Sequence, residues 1–268
     1  MKKISYLIVA LCIPLFGWAQ DVQNNEAAGA DEKLADVQQT ETKTDADSAY
    51  IKNDFATAIQ IYEALLQEGE SADLYYNLGN SYYKTGEIGR AILNYERALL
   101  LNPSDGDIQA NLQIAQARTV DKVEKIPELF FITWYHNVAS WMTADSWGTI
   151  AIVLFLTSML SILLFIFSKS SLIKKVGFFT AIIGILMVAV TNLLGSYQKN
   201  KMLNQESAIV VAPSVTVRST PSESGTSLFV LHEGHKVSIK DNSMNSWKEI
   251  RLDDGKVGWV DHEAIEII

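Results

Sequence analysis

The sequence predicts a multidomain membrane protein made of an α-helical repeat array, a two-helix transmembrane hairpin and a small all-β barrel. Three observations predict it. Two apolar runs, 150–167 and 176–194, hold no charged side chain. Upstream of them, aromatic and small residues recur at helical spacing. Downstream, short alternating stretches are cut by Pro, Gly, Ser, Asn and Asp, the pattern of a small β domain.

The chain opens Met1-Lys2-Lys3, continues with an apolar stretch over 4–16, and then presents small residues at Gly17 and Ala19. That layout predicts a cleavable export signal over 1–19, cut after Ala19. The only cysteine, Cys12, lies inside it behind Leu11, which disfavours lipidation and leaves the mature chain with no thiol. Residues 20–44 are rich in Asp, Glu, Gln, Thr and Ala and too poor in branched apolar side chains to offset the entropy of ordering. They are expected to form a flexible acidic leader. The formal charge of the chain is −9, and losing Lys2 and Lys3 makes it two units more negative. Such a surface disfavours nucleic acid as a partner.

Over 45–120 the periodicity turns helical. Tyr75, Leu78, Gly79, Tyr82, Ala91, Tyr95, Ala98 and Pro103 fall where two antiparallel helices need small residues at their contact, bulky ones around it and a terminator after it. Gly86 stands in the turn, where a positive φ is required, and Asn53 holds the matching place one unit earlier. With these residues the segment resembles the tetratricopeptide repeat (TPR) family, as one irregular repeat, one regular repeat and a capping helix that starts after Ser104 or Asp105. An array this short is expected to borrow stability from elsewhere. The resemblance implies a concave groove lined by the first helix of each repeat, with Asp73, Tyr76, Asn77, Asn80, Tyr83 and Lys84 as its candidate residues. Their amides and phenols suit a peptide or protein ligand, the alternative being a solvated helix face.

Residues 121–147 crowd Phe130, Phe131, Trp134, Tyr135, Trp141 and Trp147 together, as an interfacial segment approaching a bilayer does. The two spans, about 148–168 and 176–195, are each long enough to cross roughly 27 Å of hydrocarbon. The loop 169–175 carries Lys169, Lys174 and Lys175, consistent with a cytoplasmic turn and with both flanks exported. Gly177 and Gly184 on one span, and Ser158 and Ser161 on the other, offer small faces for close contact. No ionisable residue stands at mid-span, which argues for an anchor and against an ion path.

In 206–268, six short strands are expected within 208–211, 215–218, 228–231, 236–240, 247–252 and 256–260. Val215-Thr-Val-Arg218 with Pro221, His232-Glu-Gly234, Trp247, and Asp254-Gly255 through Gly258-Trp259 resemble the bacterial Src-homology-3-like (SH3-like) family. Arg218, Trp247 and Trp259 are its candidate surface or core residues, both placements being open. The scattered His232, His235 and His262 are expected to be solvated. Members of such a family bind cell-wall peptides, glycan or proteins.

The order of signal, TPR pair, aromatic approach, hairpin and SH3-like domain resembles the BatE family of the bacterial aerotolerance (Bat) operons. That resemblance implies a non-enzymatic inner-membrane scaffold with both soluble domains periplasmic. Its partners would be envelope proteins, Bat-type membrane proteins with von Willebrand A-type domains among them. The alternative is a peptidoglycan-binding anchor or envelope sensor. No nucleophile–base pair, metal cluster or phosphate loop is readable, so no catalytic residue, metal or cofactor is expected.

Overall fold

The structure, a computed structural model, describes residues 42–121, 129–203 and 207–268. The expected signal and nearly all of the acidic leader lie outside the described residues. The helical array consists of α1 (Lys43–Ile51), α2 (Phe55–Glu68), α3 (Ala72–Thr85), α4 (Ile88–Leu101) and α5 (Gly106–Gln116). Local chemistry sets each boundary. Thr42 and Asp45 form a reciprocal capping box at the start of α1, so the helix begins at Lys43, within the segment expected to be leader. Asp54 accepts the Thr57 N–H to open α2, and Asp105 accepts those of Asp107 and Ile108 to open α5. The turns into α2 and α4 need the left-handed region, occupied by Asn53 (φ 62°) and Gly86 (φ 89°). Where α3 crosses α4, a Cβ on Gly79 would sit 2.8 Å from the Tyr95 ring. Leu78, Tyr82, Ile92, Tyr95 and Ala98 are buried around that crossing.

Among the described residues two helices are long and apolar enough to cross a membrane: α7 (Ala144–Phe167) and α8 (Ser171–Leu203), preceded by α6 (Phe130–Ala139). They pack as a hairpin. A Cβ on Gly177 would lie 2.8 Å from the Ser161 carbonyl oxygen, and one on Gly184 would collide with the Ser158 hydroxyl. The expected turn over 169–175 is shorter than that. Only residues 168–170 interrupt the helices, because the Ser170 carbonyl already accepts the Lys174 N–H and the good helix formers Lys174 and Lys175 continue α8. At the other end α8 runs on to Leu203. There the aromatic approach is partly interior: Trp147 is buried against Ala139 and Leu194 and donates its Nε1–H to the Ala139 carbonyl, while Phe130, Trp134 and Trp141 stay exposed.

The C-terminal part holds β1 (Ser207–Val210), β2 (Ser214–Arg218), β3 (Ser227–His232), β4 (Lys236–Asp241), β5 (Trp247–Arg251), β6 (Val257–Asp261) and β7 (Ile265–Ile267). All pairings are antiparallel, in the order β3-β2-β6-β5-β4-β1-β7. The expected closed barrel is therefore an open sheet, with β3 and β7 at its edges. Register shifts at Val217/Arg218 and Ile239/Asp241 bend it around Val210, Val217, Leu231, Val237, Ile250 and Val260. The outer edge of β7 faces a helix instead of β3: Arg97 Nη2, from α4, donates to the Ile267 carbonyl at 2.5 Å.

Helices and sheet share a core. Ile209 of β1 is fully buried within the helical cluster, with Val211 and Ile268 packed beside it. Two glycines permit the contact. A Cβ on Gly89 of α4 would stand 2.9 Å from the Val210 carbonyl oxygen, and one on Gly234 (φ 82°) would stand 2.7 Å from Thr119 and 2.8 Å from Ile92. Lys236–Glu96 (2.6 Å) and Arg97–Glu266 (3.1 Å) ion pairs flank it. The sheet supplies the support that a two-repeat array lacks.

Candidate functional site

On the face shared by α1, α3 and α5, the expected groove residues stand together. Tyr76, Asn77, Asn80 and Tyr83 are half-buried, and Asp73 and Lys84 are exposed at its ends. Asn77 Nδ2 donates to Asp47 Oδ1 at 3.3 Å. Asn80 Oδ1 accepts from the Tyr95 hydroxyl (2.7 Å) and from Asn111 Nδ2 (3.1 Å), and the latter also donates to the Tyr76 hydroxyl (2.8 Å). Arg118 lies over the Tyr83 ring, 5.2 Å from its centroid. The Asn80 amide oxygen and the Asn77 and Asn111 amide N–H groups are thus spent on ordering the face, while the Asn80 amide N–H groups and the Lys84 ammonium point to no described partner. Asp47 is partly buried, which pushes its carboxyl up, but hydrogen bonds from Lys43 and Tyr62 outweigh this and hold it below its usual range. Asp47 is thus held as a carboxylate paired with Lys43 on α1, at 2.8 Å, and Lys84 stands exposed at the end of α3.

Sequence reasoning missed Asp47, Asn111 and Arg118 on this face. A signal for Asp47 existed: the offset of 33 that relates Ala58 to Ala91 also relates Asp47 to Asn80.

The sheet has its own outer face. Alternation along β5 and β6 turns Lys248, Ile250 and Val260 inward and leaves Trp247 and Trp259 half-exposed on the other side, beside Glu249. Arg218 pairs in register with Trp259, and its guanidinium reaches the Gly225 carbonyl (3.1 Å) and Glu223 (3.2 Å). Both tryptophans belong to the rim.

Of the histidines expected to be solvated, His235 is buried and the part-exposed His232 has a carboxylate partner. Asp121 accepts the His232 backbone N–H at 2.7 Å and lies 2.9 Å from His232 Nδ1. His235 is buried, with its Nδ1 3.8 Å from Asp121. Burial pushes the His235 imidazole down, partly opposed by Asp121. Burial works to raise Asp121, but the His232 backbone and side chain bring it below the usual carboxylate range. The cluster ties the end of the helical array to the turn between β3 and β4. Among the described residues no group of three or more His, Cys, Asp or Glu side chains has the arrangement of a metal site.

Comparison with known families agrees with two parts of this description. Residues 72–105, which span α3 and α4, match the tetratricopeptide repeat family, and residues 213–266 match the bacterial SH3 domain family. A comparison with curated proteins gives no match. A TPR repeat and a bacterial SH3 domain fit protein–protein interaction, and the latter also fits cell-wall binding and an envelope location.

Proposed function

We propose that the chain is a non-enzymatic adaptor of the bacterial inner membrane, anchored by the α7–α8 hairpin and displaying the helical array and the sheet as one body on the periplasmic side. The single observation behind this reading is the shared core at Ile209. A hairpin that leads directly into a fused body holds both binding faces in a constant relation, which raises their effective concentration toward partners on the same membrane. The order of modules resembles BatE-type proteins, so the partners proposed for the α1/α3/α5 face are Bat-type membrane proteins with von Willebrand A-type domains.

Affinity purification of the full chain from membranes tests it. Tyr83→Ala with Lys84→Glu should abolish recovery of a von Willebrand A-type protein while leaving membrane insertion intact. Unchanged recovery contradicts the role given to that face.

A second reading has its own support in the half-exposed Trp247 and Trp259 within a bacterial SH3 domain. Such indoles suit stacking on glycan or peptide stems. Sedimentation of the full chain with purified sacculi, lost on Trp247→Ala with Trp259→Ala, would place peptidoglycan first. A sedimenting fraction indifferent to both substitutions would remove that reading.

A further inference from the structure

A cleft of about 800 Å³ opens on the α2–α4 side of the array, walled across from the helices by β7 and reached by Met202 at the end of α8. This is the size of a site for a small molecule or a few residues of peptide. Three features of its wall point to the occupant. Asn94 is 3% exposed; its Nδ2 donates to the Arg90 carbonyl, and its Oδ1 accepts from no described residue. A buried acceptor left unpaired is costly, so a donor arriving there is rewarded.

Next come the charges. Glu63 and Glu70 both line the cleft, each accepting a phenolic hydrogen bond, from Tyr82 and Tyr75 respectively. Burial and then the adjoining carboxylate push both phenols up to about 12, so they remain neutral donors. Neither carboxylate has a cation within ion-pair distance among the described residues, whereas Glu266 on the facing wall is matched by Arg97. Arg90, also in the wall, reaches Glu63 only through the Tyr82 hydroxyl to which it donates at 3.2 Å, so the lining sets three carboxylates, Glu63, Glu70 and Glu266, against two guanidiniums, Arg90 and Arg97.

The backbone of β7 supplies the third. Ile268 N–H donates to Ser207 and Val211 N–H to the Ala264 carbonyl, so the alternation turns the backbone groups of Ile265 and Ile267 away from β1, toward the cleft. Arg97 occupies the Ile267 carbonyl, and the Ile265 N–H bonds to His262. The Ile265 carbonyl and the Ile267 N–H have no partner among the described residues. One residue of a strand running parallel to β7 satisfies that pair, donating to the first and accepting from the second.

We propose that this cleft binds an extended peptide segment carrying a lysine or arginine side chain, laid parallel to β7 with the cation between Glu63 and Glu70 and an N–H directed at Asn94 Oδ1. It is a second surface, distinct from the α1/α3/α5 face, and does not depend on the partner assigned there.

The full chain in nanodiscs, titrated into a fluorophore-labelled, end-blocked Lys-Val-Lys-Val-Lys peptide at low salt, tests this by polarisation. The expected results are at least tenfold tighter binding than to the Glu-Val-Glu-Val-Glu counterpart and at least tenfold loss with Glu63→Gln plus Glu70→Gln. Those amides keep acceptors for Tyr82 and Tyr75, and circular dichroism checks the fold. Saturating peptide should also slow exchange of the Ile267 amide about tenfold, and Lys84→Glu on the other face should change nothing. Equal affinity for the acidic peptide, an unmoved Ile267 amide, or loss on Lys84→Glu with retention in the glutamine pair would overturn the proposal.

Discussion

The two faces of the helical array use the same residue types to opposite ends. On the α1/α3/α5 side, Asp47, Asn77, Asn80 and Asn111 bond to one another and to three tyrosines, so polar groups there build a fixed surface. On the α2–α4 side, close packing against the sheet is achieved by glycine and isoleucine, and the polar groups beyond that contact, Asn94, Glu63 and Glu70, stay incompletely matched. Stability concentrates where the backbone comes closest. Binding capacity is left where the packing stops.

Substitutions can widen or erase that difference. The largest effect should follow Gly89→Val: its Cβ would press on the Val210 carbonyl oxygen and the Gly234 N–H, backbone atoms that cannot turn aside. A loss of about 3 kcal/mol or more is expected, read from the denaturant midpoint. Asn80→Leu comes second. It strips the acceptor from the Tyr95 hydroxyl, in a residue only 1% exposed, and should cost about 1–3 kcal/mol by the same measurement. If it cost nothing, the polar lattice of that face would be ornament.

Mild acid should act first at the junction of the array and the sheet, between the two faces. The folded His235 titrates below its unfolded value of 6.5, so between those two values the unfolded chain binds the extra proton and stability falls as pH drops past 6.5. Asp121, depressed from 3.8, adds a loss that begins near that value and continues through its folded one. Denaturation midpoints between pH 7.5 and 5.5 should decline, and His235→Gln should flatten the trend. The smallest effect belongs to Asn94→Leu, which removes the unpaired oxygen. Thermal stability should hold or rise by up to about 1 kcal/mol. A clear drop would mean that the amide is structurally required and not held open for a ligand.

Much of this was legible from residues close in sequence. Tyr75 to Pro103 announced two helices and their contact, and Asn53 and Gly86 announced positive φ. Asp105 announced a helix start, and the uncharged runs announced α7 and α8. Each depends on spacing within a turn or two. What stayed hidden depends on distance along the chain: Asp121 with His232, Glu96 with Lys236, and Arg97 with Ile267 meet across more than a hundred residues. The open sheet was illegible for the same reason, since the edge of β7 meets Arg97 of α4, 170 residues away, instead of another strand. The strand β7 was missed because three residues, Ile265-Glu266-Ile267, are too short to show alternation. Helical spacing sufficed to set the six expected residues on one face of α3, but not to show that the Asn80 amide oxygen is engaged by Tyr95 and Asn111, which lie 15 and 31 residues away.

The union of helices and sheet is tested most directly by Ile209→Ser in the full chain, followed by amide hydrogen exchange. Ile209 sits in β1, far from α4 in sequence, yet is wholly buried in the helical cluster. If the two parts form one body, amides of 92–98 in α4 should exchange at least tenfold faster along with those of β1 and β4. Faster exchange confined to the strands, with α4 unchanged, would show two independent modules and contradict the account.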